Sequence, residues 1–341
     1  MAKNGVTVRE ATPEDAEAVA TVFRATYGDR YPFPQFYDPA AQREMIAAHG
    51  IESYVAANAD GTIIGHGALI LHEYKPAEFG RTAVHPDARG LGVFHKLINH
   101  RQAAGVDEGH RYFTTEAVTG SIGSQTGLGS NGFVGVGVEV AKYADLFDVG
   151  TGKPYKESTV VMVWDPHRTL ARSESRAVYA GSARNLVDHT REKLHVARYH
   201  GTPYGLPEEG DFSLTFGEVD YVSNKVALQL QGVPNRSELA TSLRKINERL
   251  QDTGINYIEL DLNAEDPVTP AIMREFEENG FFPAAFIPGY LGERENRKDV
   301  IRMTRCTGPT DERKIQRTPE NQIVLDIVMA HTNCPLEYRM R

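Results

Sequence analysis

Apolar and polar residues alternate through VTVREAT, Val6 to Thr12, and predict an opening strand. Thr12-Pro13-Glu14-Asp15 then supplies a cap residue, a proline at the first helical position and acids in the first turn. The helix expected next, AEAVATVFRATYG, sets Val19, Val22 and Phe23 on one face. An aromatic segment broken by prolines, DRYPFPQFYDP, separates it from a second helix, AAQREMIAAHG. SYVAANADGTIIGHGALILHEY reads as a hairpin, because two β-rich runs flank Asp60-Gly61, a pair favoured in type I′ turns. FGRTAVHP is a further strand, and HPDARGLGVFHKL turns from it into a helix with Val93, Leu97 and Ile98 apolar. RYFTTEAVT is the next strand. A Gly/Ser-rich piece follows, GSIGSQTGLGS, expected as a short helix or loop, and then the strands GFVGVGVEVAKY and STVVMVW up to Trp164.

Residues 166–180 lose the apolar period and carry mixed charge, as a linker does. Beyond them the pattern partly returns. INYIELDL reads as a strand, TPAIMREFEENG as a helix, FFPAAFIPGY and DVIRMTR as strands. GFVGVGVEVAKY near Gly132 is echoed by GFFPAAFIPGY near Gly280, and VVMVW by VIRMTR, which suggests a diverged internal duplication. A last helix, PENQIVLDIVMAH, is capped by Thr318 and expected to pack by Ile323, Ile327 and Val328. The division expected is a first domain over 1–165, a linker over 166–180, a second over 181–306 and a tail over 307–341. The fold class is α+β, a mixed, mostly antiparallel sheet flanked by helices and duplicated in tandem.

Composition narrows the function classes. The chain has 341 residues, 40% hydrophobic and 24% charged, as in an ordinary globular protein. No apolar run is long enough to span a membrane, and MAKNGVTVREATPED has no apolar signal core. Cys306 and Cys334 are too few for a disulfide framework or a thiolate metal site. These features set the expectation of a cytoplasmic protein. A net charge of −9 argues against a nucleic-acid binder and mildly favours a cationic partner. His189, His195 and His200 lack the spacing of a zinc motif, so no metal is expected.

The turn Arg89-Gly90-Leu91-Gly92-Val93-Phe94 carries the chemistry. It presents successive backbone N–H groups at a helix N-terminus, where they lack intrahelical partners and the dipole is positive. Glycines let a ligand approach the backbone closely. The ligand such a turn suits is a pyrophosphate. No Gly-Lys-Ser/Thr follows, so it is not a nucleotide P-loop, and its glycine spacing is not that of a dinucleotide fold.

With this strand, turn and helix in their order, residues 5–165 resemble the GNAT superfamily of acyltransferases. That family reads Gln/Arg-x-x-Gly-x-Gly/Ala at the turn. Here Arg89 and Gly92 stand at two of those positions, and Phe94 replaces the last small residue. A subset with this layout reads RGxGxFxKL and has a Ser-Gln pair after the next strand, matched by Ser124-Gln125. The resemblance implies acetyl-CoA as acyl donor. Its pyrophosphate would lie on Arg89, Gly90, Leu91, Gly92, Val93 and Phe94, its pantetheine arm along Thr82, Ala83 and Val84, with Gln125 a further contact.

The resemblance further implies direct attack of an amine on the thioester. A lysine-like amine with a pKa of ~10.4 is neutral in about one part in 10³ at pH 7, a cost of roughly 4–5 kcal/mol that a base offsets. Glu116 is the first candidate, ahead of His85 and His66. The tyrosine many members use as general acid falls here at Leu128, which leaves a hydroxyl such as Ser121 or Ser124, or water. Tyr27, Tyr31 and Phe33, with Phe36 and Tyr37, fall where the family lines its acceptor pocket, and such rings hold cations. The implied acceptor is a small-molecule amine, with no nucleic acid or membrane partner. GVPNRSELATSLRKINERL in the second half has no glycine repeat, so that half reads as a copy without a coenzyme site. Its expected role is to cover the acceptor cleft or to form a homodimer contact. The rival reading is an acyl-CoA-binding regulatory module without turnover.

Overall fold

The computed structural model describes residues 5–28, 31, 33–147, 154–172, 181–196, 202–220, 224–250, 253–292, 296–307 and 315–332. The chain divides into two compact units, one of residues 1–116, 126–133 and 164–167, the other of 117–125, 134–163 and 168–341. Most of the linker expected at 166–180 lies outside the described residues, as do Cys334 and His200.

In the first unit the strands are β1 (Thr7–Glu10), β2 (Ile51–Ala57), β3 (Ile63–Ile70), β4 (Ala77–Val84) and β5 (Phe113–Val118), side by side in that order. Neighbours are antiparallel except β4 and β5, which run parallel. Helix α1 (Ala16–Tyr27) begins after the Thr12–Asp15 turn, where the Thr12 amide donates to Asp15 at 2.8 Å. It buries Val19, Val22 and Phe23 as the pattern predicts, each worth about 2–3 kcal/mol of apolar burial. Helix α2 (Pro39–Ala47) is capped by Asp38. The hairpin β2–β3 stands where it was read. Its turn is longer than a two-residue type I′, because Asn58 O accepts from the Gly61 amide and the strands first pair at Ala57–Ile63.

Helix α3 (Val93–Asp107) lies unusually close to the sheet. A Cβ on Gly65 would meet Val93 at 2.7 Å, and one on Gly105 of the helix would meet the Phe113 ring at 2.6 Å. At each of these points a glycine faces a side chain of the other element, which a Cβ would displace.

In the second unit helix α4 (Ile122–Ser130) begins, and the sheet order is β7 (Pro154–Trp164), β6 (Val134–Phe147), β11 (Phe282–Leu291), β12 (Lys298–Cys306), β10 (Tyr257–Asn263), β9 (Lys225–Gly232), β8 (Phe212–Asp220). Helices α5 (Thr169–Arg172), α6 (Arg184–Leu194), α7 (Arg236–Leu250), α8 (Thr269–Glu278) and α9 (Pro319–Met329) complete it. The compact units depart from a boundary at 165 for a plain reason: β6 pairs with β11 at Gly137–Ala285, which draws β6 and β7 into the second unit.

The order β3, β4, α3, β5, α4, β6, β7 is matched by β8, β9, α7, β10, α8, β11, β12. The pairings match too: antiparallel β3–β4 and β8–β9, parallel β4–β5 and β9–β10, antiparallel β6–β7 and β11–β12. The sheet is thus mixed and mostly antiparallel, as expected.

Helix α9 starts at the Thr318 cap. Of the expected residues Val328 is buried, Ile327 is half-buried and Ile323 is 49% exposed; Asn321, Val324 and Leu325 make up the rest of the buried face. Asn321 fits where Gly135 lacks a Cβ and bonds buried Gln125, which fixes the rotation of the helix. Beneath β10 and β12 a buried ionic group centres on Glu139, which accepts from Lys142, Tyr257 and Arg302. Burial alone would raise that carboxyl, but Lys142 and Arg302 outweigh it and hold it well below the usual range. Cys306 at the end of β12 is disulfide-bonded, a bond reducing cytosol disfavours, so the cysteines lend the cytoplasmic expectation no support.

Candidate functional site

β4 pairs with β5 from Ala77–Phe113 to Phe79–Thr115, and among the described residues no strand pairs with the β5 side of β4 beyond Phe79. Just there β4 is irregular. Its register with β3 jumps from Ala68–Gly80 to His66–Ala83, so Gly67 faces both Arg81 and Thr82, and Arg81 takes a φ of 53°. This is a bulge, which re-aims the backbone. The carbonyls of Thr82 and Val84 point away from β3 and accept from Tyr27 Oη at 2.9 Å and Thr26 Oγ1 at 3.1 Å. A strand residue's N–H lies on the same side as its C=O, so the amides of Thr82 and Val84 also face away from β3. Ala83, opposite His66, turns its backbone to β3 instead.

At the end of β4, His85 caps a single turn, Pro86–Ala88, and accepts from the Asp87 amide at 3.3 Å. Arg89 and Gly90 are exposed. Gly90 and Gly92 have φ of 77° and 76°, and a Cβ on either would meet nothing within 4 Å. Their conformation, not crowding, demands glycine, and the space in front of them is open. Gly92 is the N-cap of α3 and gives no side-chain cap, and the first turn holds no acid. The Val93, Phe94 and His95 amides therefore lack both intrahelical and capping partners. The Phe94 ring rests on α4, where a Cβ on Gly127 would lie 2.6 Å from it. The departure from a small residue is therefore filled by packing.

The corresponding helix start in the second unit is built the other way. Asn235 Oδ1 accepts from the Glu238 amide at 3.0 Å, and Asn235 Nδ2 donates to the Glu238 carboxylate at 2.6 Å. An acid in the first turn and a filled cap repel an anion. A Cβ on Gly232 would lie 2.1 Å from Asp211 O, so the chain itself closes that turn.

The aromatic segment packs around Phe23. Tyr31 lies 5.1 Å and Phe36 4.6 Å from it between ring centroids, and Phe33 lies 5.7 Å from Tyr31. Burial pushes the Tyr27 hydroxyl up to about 12, so it stays a donor to Thr82 O. The Arg81 guanidinium lies over Phe36 at 5.5 Å. Its charge and that of Glu78 both act on Tyr31.

Tyr31, Arg81 and Glu78 are thus gathered beside the bulge, and the sequence reading overlooked the last two. The signal was an acid and a base inside the otherwise apolar strand AEFGRTAV. Glu116 is half-buried on β5, one residue past the last pair with β4. Ser124 Oγ donates to Ser121 O at 3.3 Å. Gln125 is fully buried, its amide consumed by Gln316 O, Thr318 N and Asn321. It holds the start of α9, and Leu128 of α4 is buried. Among the described residues no His/Cys/Asp/Glu group is arranged to hold a metal, and no helix is long and apolar enough to cross a membrane.

The strand, bulge and open helix start coincide with a family match. Residues 16–123 match the acetyltransferase (GNAT) family. Among solved structures, a GCN5-related N-acetyltransferase from Kribbella flavida is 22% identical, over 48% of this chain and 99% of its own, at a TM-score of 0.39. The ribosomal-protein-S18-alanine N-acetyltransferase from Escherichia coli is 14% identical, over 47% and 93%, at 0.38. Mutant forms of a spermidine/spermine N-acetyltransferase from Vibrio cholerae are 20% identical, over 50% and 99%, at 0.38. No curated protein matches the chain.

Proposed function

We propose that the GNAT segment and the strands that follow it transfer an acyl group, in the first instance acetyl, from acetyl-CoA to an amine of a small molecule. The observation that carries this reading is the open, uncapped start of α3, at the end of a strand whose partner leaves it after Phe79. The residues present fit the coenzyme. The space before Gly90 and Gly92 is open, the first turn of α3 holds no acid, and Arg89 adds a charge. The Gly90, Gly92, Val93 and Phe94 amides would hold the pyrophosphate, whereas those of Arg89 and Leu91 donate to Pro86 O and Ala88 O. Val84 and the Thr82 carbonyl would pair with an extended arm, whereas Ala83 has its backbone engaged by β3. When bound, acetyl-CoA supplies an activated acyl carbonyl as a thioester.

The chain's part is to bind, orient and move protons. In a trans peptide the N–H opposes the C=O. Gly80 O is turned inward to Arg101 and Arg81 O to His66, so the Arg81 and Thr82 amides face outward as paired donors for a carbonyl oxygen. An amine arrives charged and must lose a proton. Glu116 is the base we assign, with Glu78, beside Arg81 and Tyr31, the competing carboxylate. Ser124 Oγ is assigned to return a proton. Tyr31 and Phe33 would wall the acceptor.

Residues 181–306 we read as a second copy of the fold that has lost its coenzyme site, on the matched element order and the Asn235–Glu238 cap.

The test is thiol release from acetyl-CoA against a panel of small amines. The base variant, Glu116→Gln or Glu78→Gln, should lose about 10²-fold in kcat with little change in coenzyme affinity. Tight binding with no turnover on any amine would favour a binding module instead.

A further inference from the structure

Two side chains buried under the β4 bulge are costlier than packing requires. Arg101, in the middle of α3, is fully buried, and among the described residues no carboxylate pairs with it. Its guanidinium donates to Leu97 O at 3.1 Å, Ala68 O at 2.9 Å and Gly80 O at 3.3 Å, and Nη2 has no partner. It fills the space that Gly67 leaves, since a Cβ there would lie 2.7 Å from its Cζ. His66 is also fully buried. Its Nδ1–H donates to Arg81 O at 2.8 Å, which leaves Nε2 bare and unpartnered.

A buried cation without a counter-charge destabilises a fold, and methionine or leucine would fill the same volume at less cost. The Phe79 ring, its centroid 4.9 Å from Arg101 Cζ, and the three carbonyls offset only part of that cost, so stability alone does not account for Arg101. Its target does. Arg101 and His66 bond the consecutive carbonyls of Gly80, the last paired residue before the bulge, and Arg81, its first residue. Drawing each carbonyl inward turns the N–H of the same peptide outward. A donor on the carbonyl, above all a charged one, also polarises the peptide and strengthens that N–H as a donor.

We propose that Arg101 and His66 are positioning residues, which lock the bulge and strengthen the Arg81 and Thr82 amides as donors to the carbonyl oxygen of a bound acyl thioester. This rests on the acyl-CoA reading of the same segment. Neither side chain touches the ligand; each acts through a peptide of β4.

Infrared difference spectra of the full chain with acetyl-CoA carrying ¹³C at the acetyl carbonyl test this without any acceptor. In the wild type the bound C=O band should lie below that of free acetyl-CoA. In Arg101→Met it should move back toward the free position, with calorimetric affinity nearly unchanged. Arg101→Lys keeps a charge and fewer donors and should give an intermediate band, so it decides the matter where Arg101→Met does not fold. A folded, binding variant whose band stays at the wild-type position overturns the proposal and leaves the acyl-CoA reading standing, as does a wild-type band equal to the free one. A wild type that does not bind acetyl-CoA removes both.

Discussion

His66 shows how one buried residue ties the site to stability. Burial, with the charges of Arg101 and Arg81, lowers its pKa to about 4 from 6.5. The unfolded chain then binds a proton between those values that the folded chain does not, so stability falls as pH drops from 6.5 toward 4. The full difference is about 3 kcal/mol. Urea unfolding of wild type and His66→Gln at pH 7 and pH 4.5 should show the steeper loss in the wild type. Equal losses would mean that the ring is not kept neutral by burial. The sequence marked His66 only as a weak candidate base. Nothing in GHGALI tells that its Nδ1 would serve a carbonyl on the neighbouring strand, because that depends on a bulge no local pattern encodes.

Elements were more legible than the contacts between them. The strand, the turn with its two glycines and helix α3 follow from periodicity and from the need for positive φ at Gly90 and Gly92. Helix α9 was legible through its Thr318 cap, but its buried face only in part. Partners 191 to 196 residues away set that face, through Gln125 and its bonds to Gln316 O and Asn321. Gln125 was read as a coenzyme contact by resemblance, and its own hydrogen bonds assign it to the second unit's core. Gln125→Leu should leave the start of α9 unsatisfied and cost about 2–3 kcal/mol in the second unit, read by denaturant unfolding. An unchanged midpoint would show that the helix is held by its apolar face alone.

At the scale of the whole molecule, two similar orders of strands and helices meet different ends. One helix start is open, glycine-capped and free of acid; the other is sealed by Asn235, Glu238 and Asp211. The likeness of the two orders shows in the sequence as the echoes near Gly132 and Gly280 and between VVMVW and VIRMTR, since strand order and pairing can be alike where side chains are not.

On the proposed function, the open start of α3 holds acetyl-CoA. Thermal-shift titration with acetyl-CoA, on wild type, Gly92→Ala and Gly92→Glu, tests it most directly. Gly92→Ala bears the strain of positive φ but adds only a Cβ into open space, so it should still bind. Gly92→Glu puts a carboxylate where the pyrophosphate would lie and should not. For the wild type a saturable rise is expected, equivalent to about 2.7 kcal/mol at a hundredfold excess over Kd. A wild type that does not shift, or a Gly92→Glu variant that shifts as the wild type does, would contradict the claim.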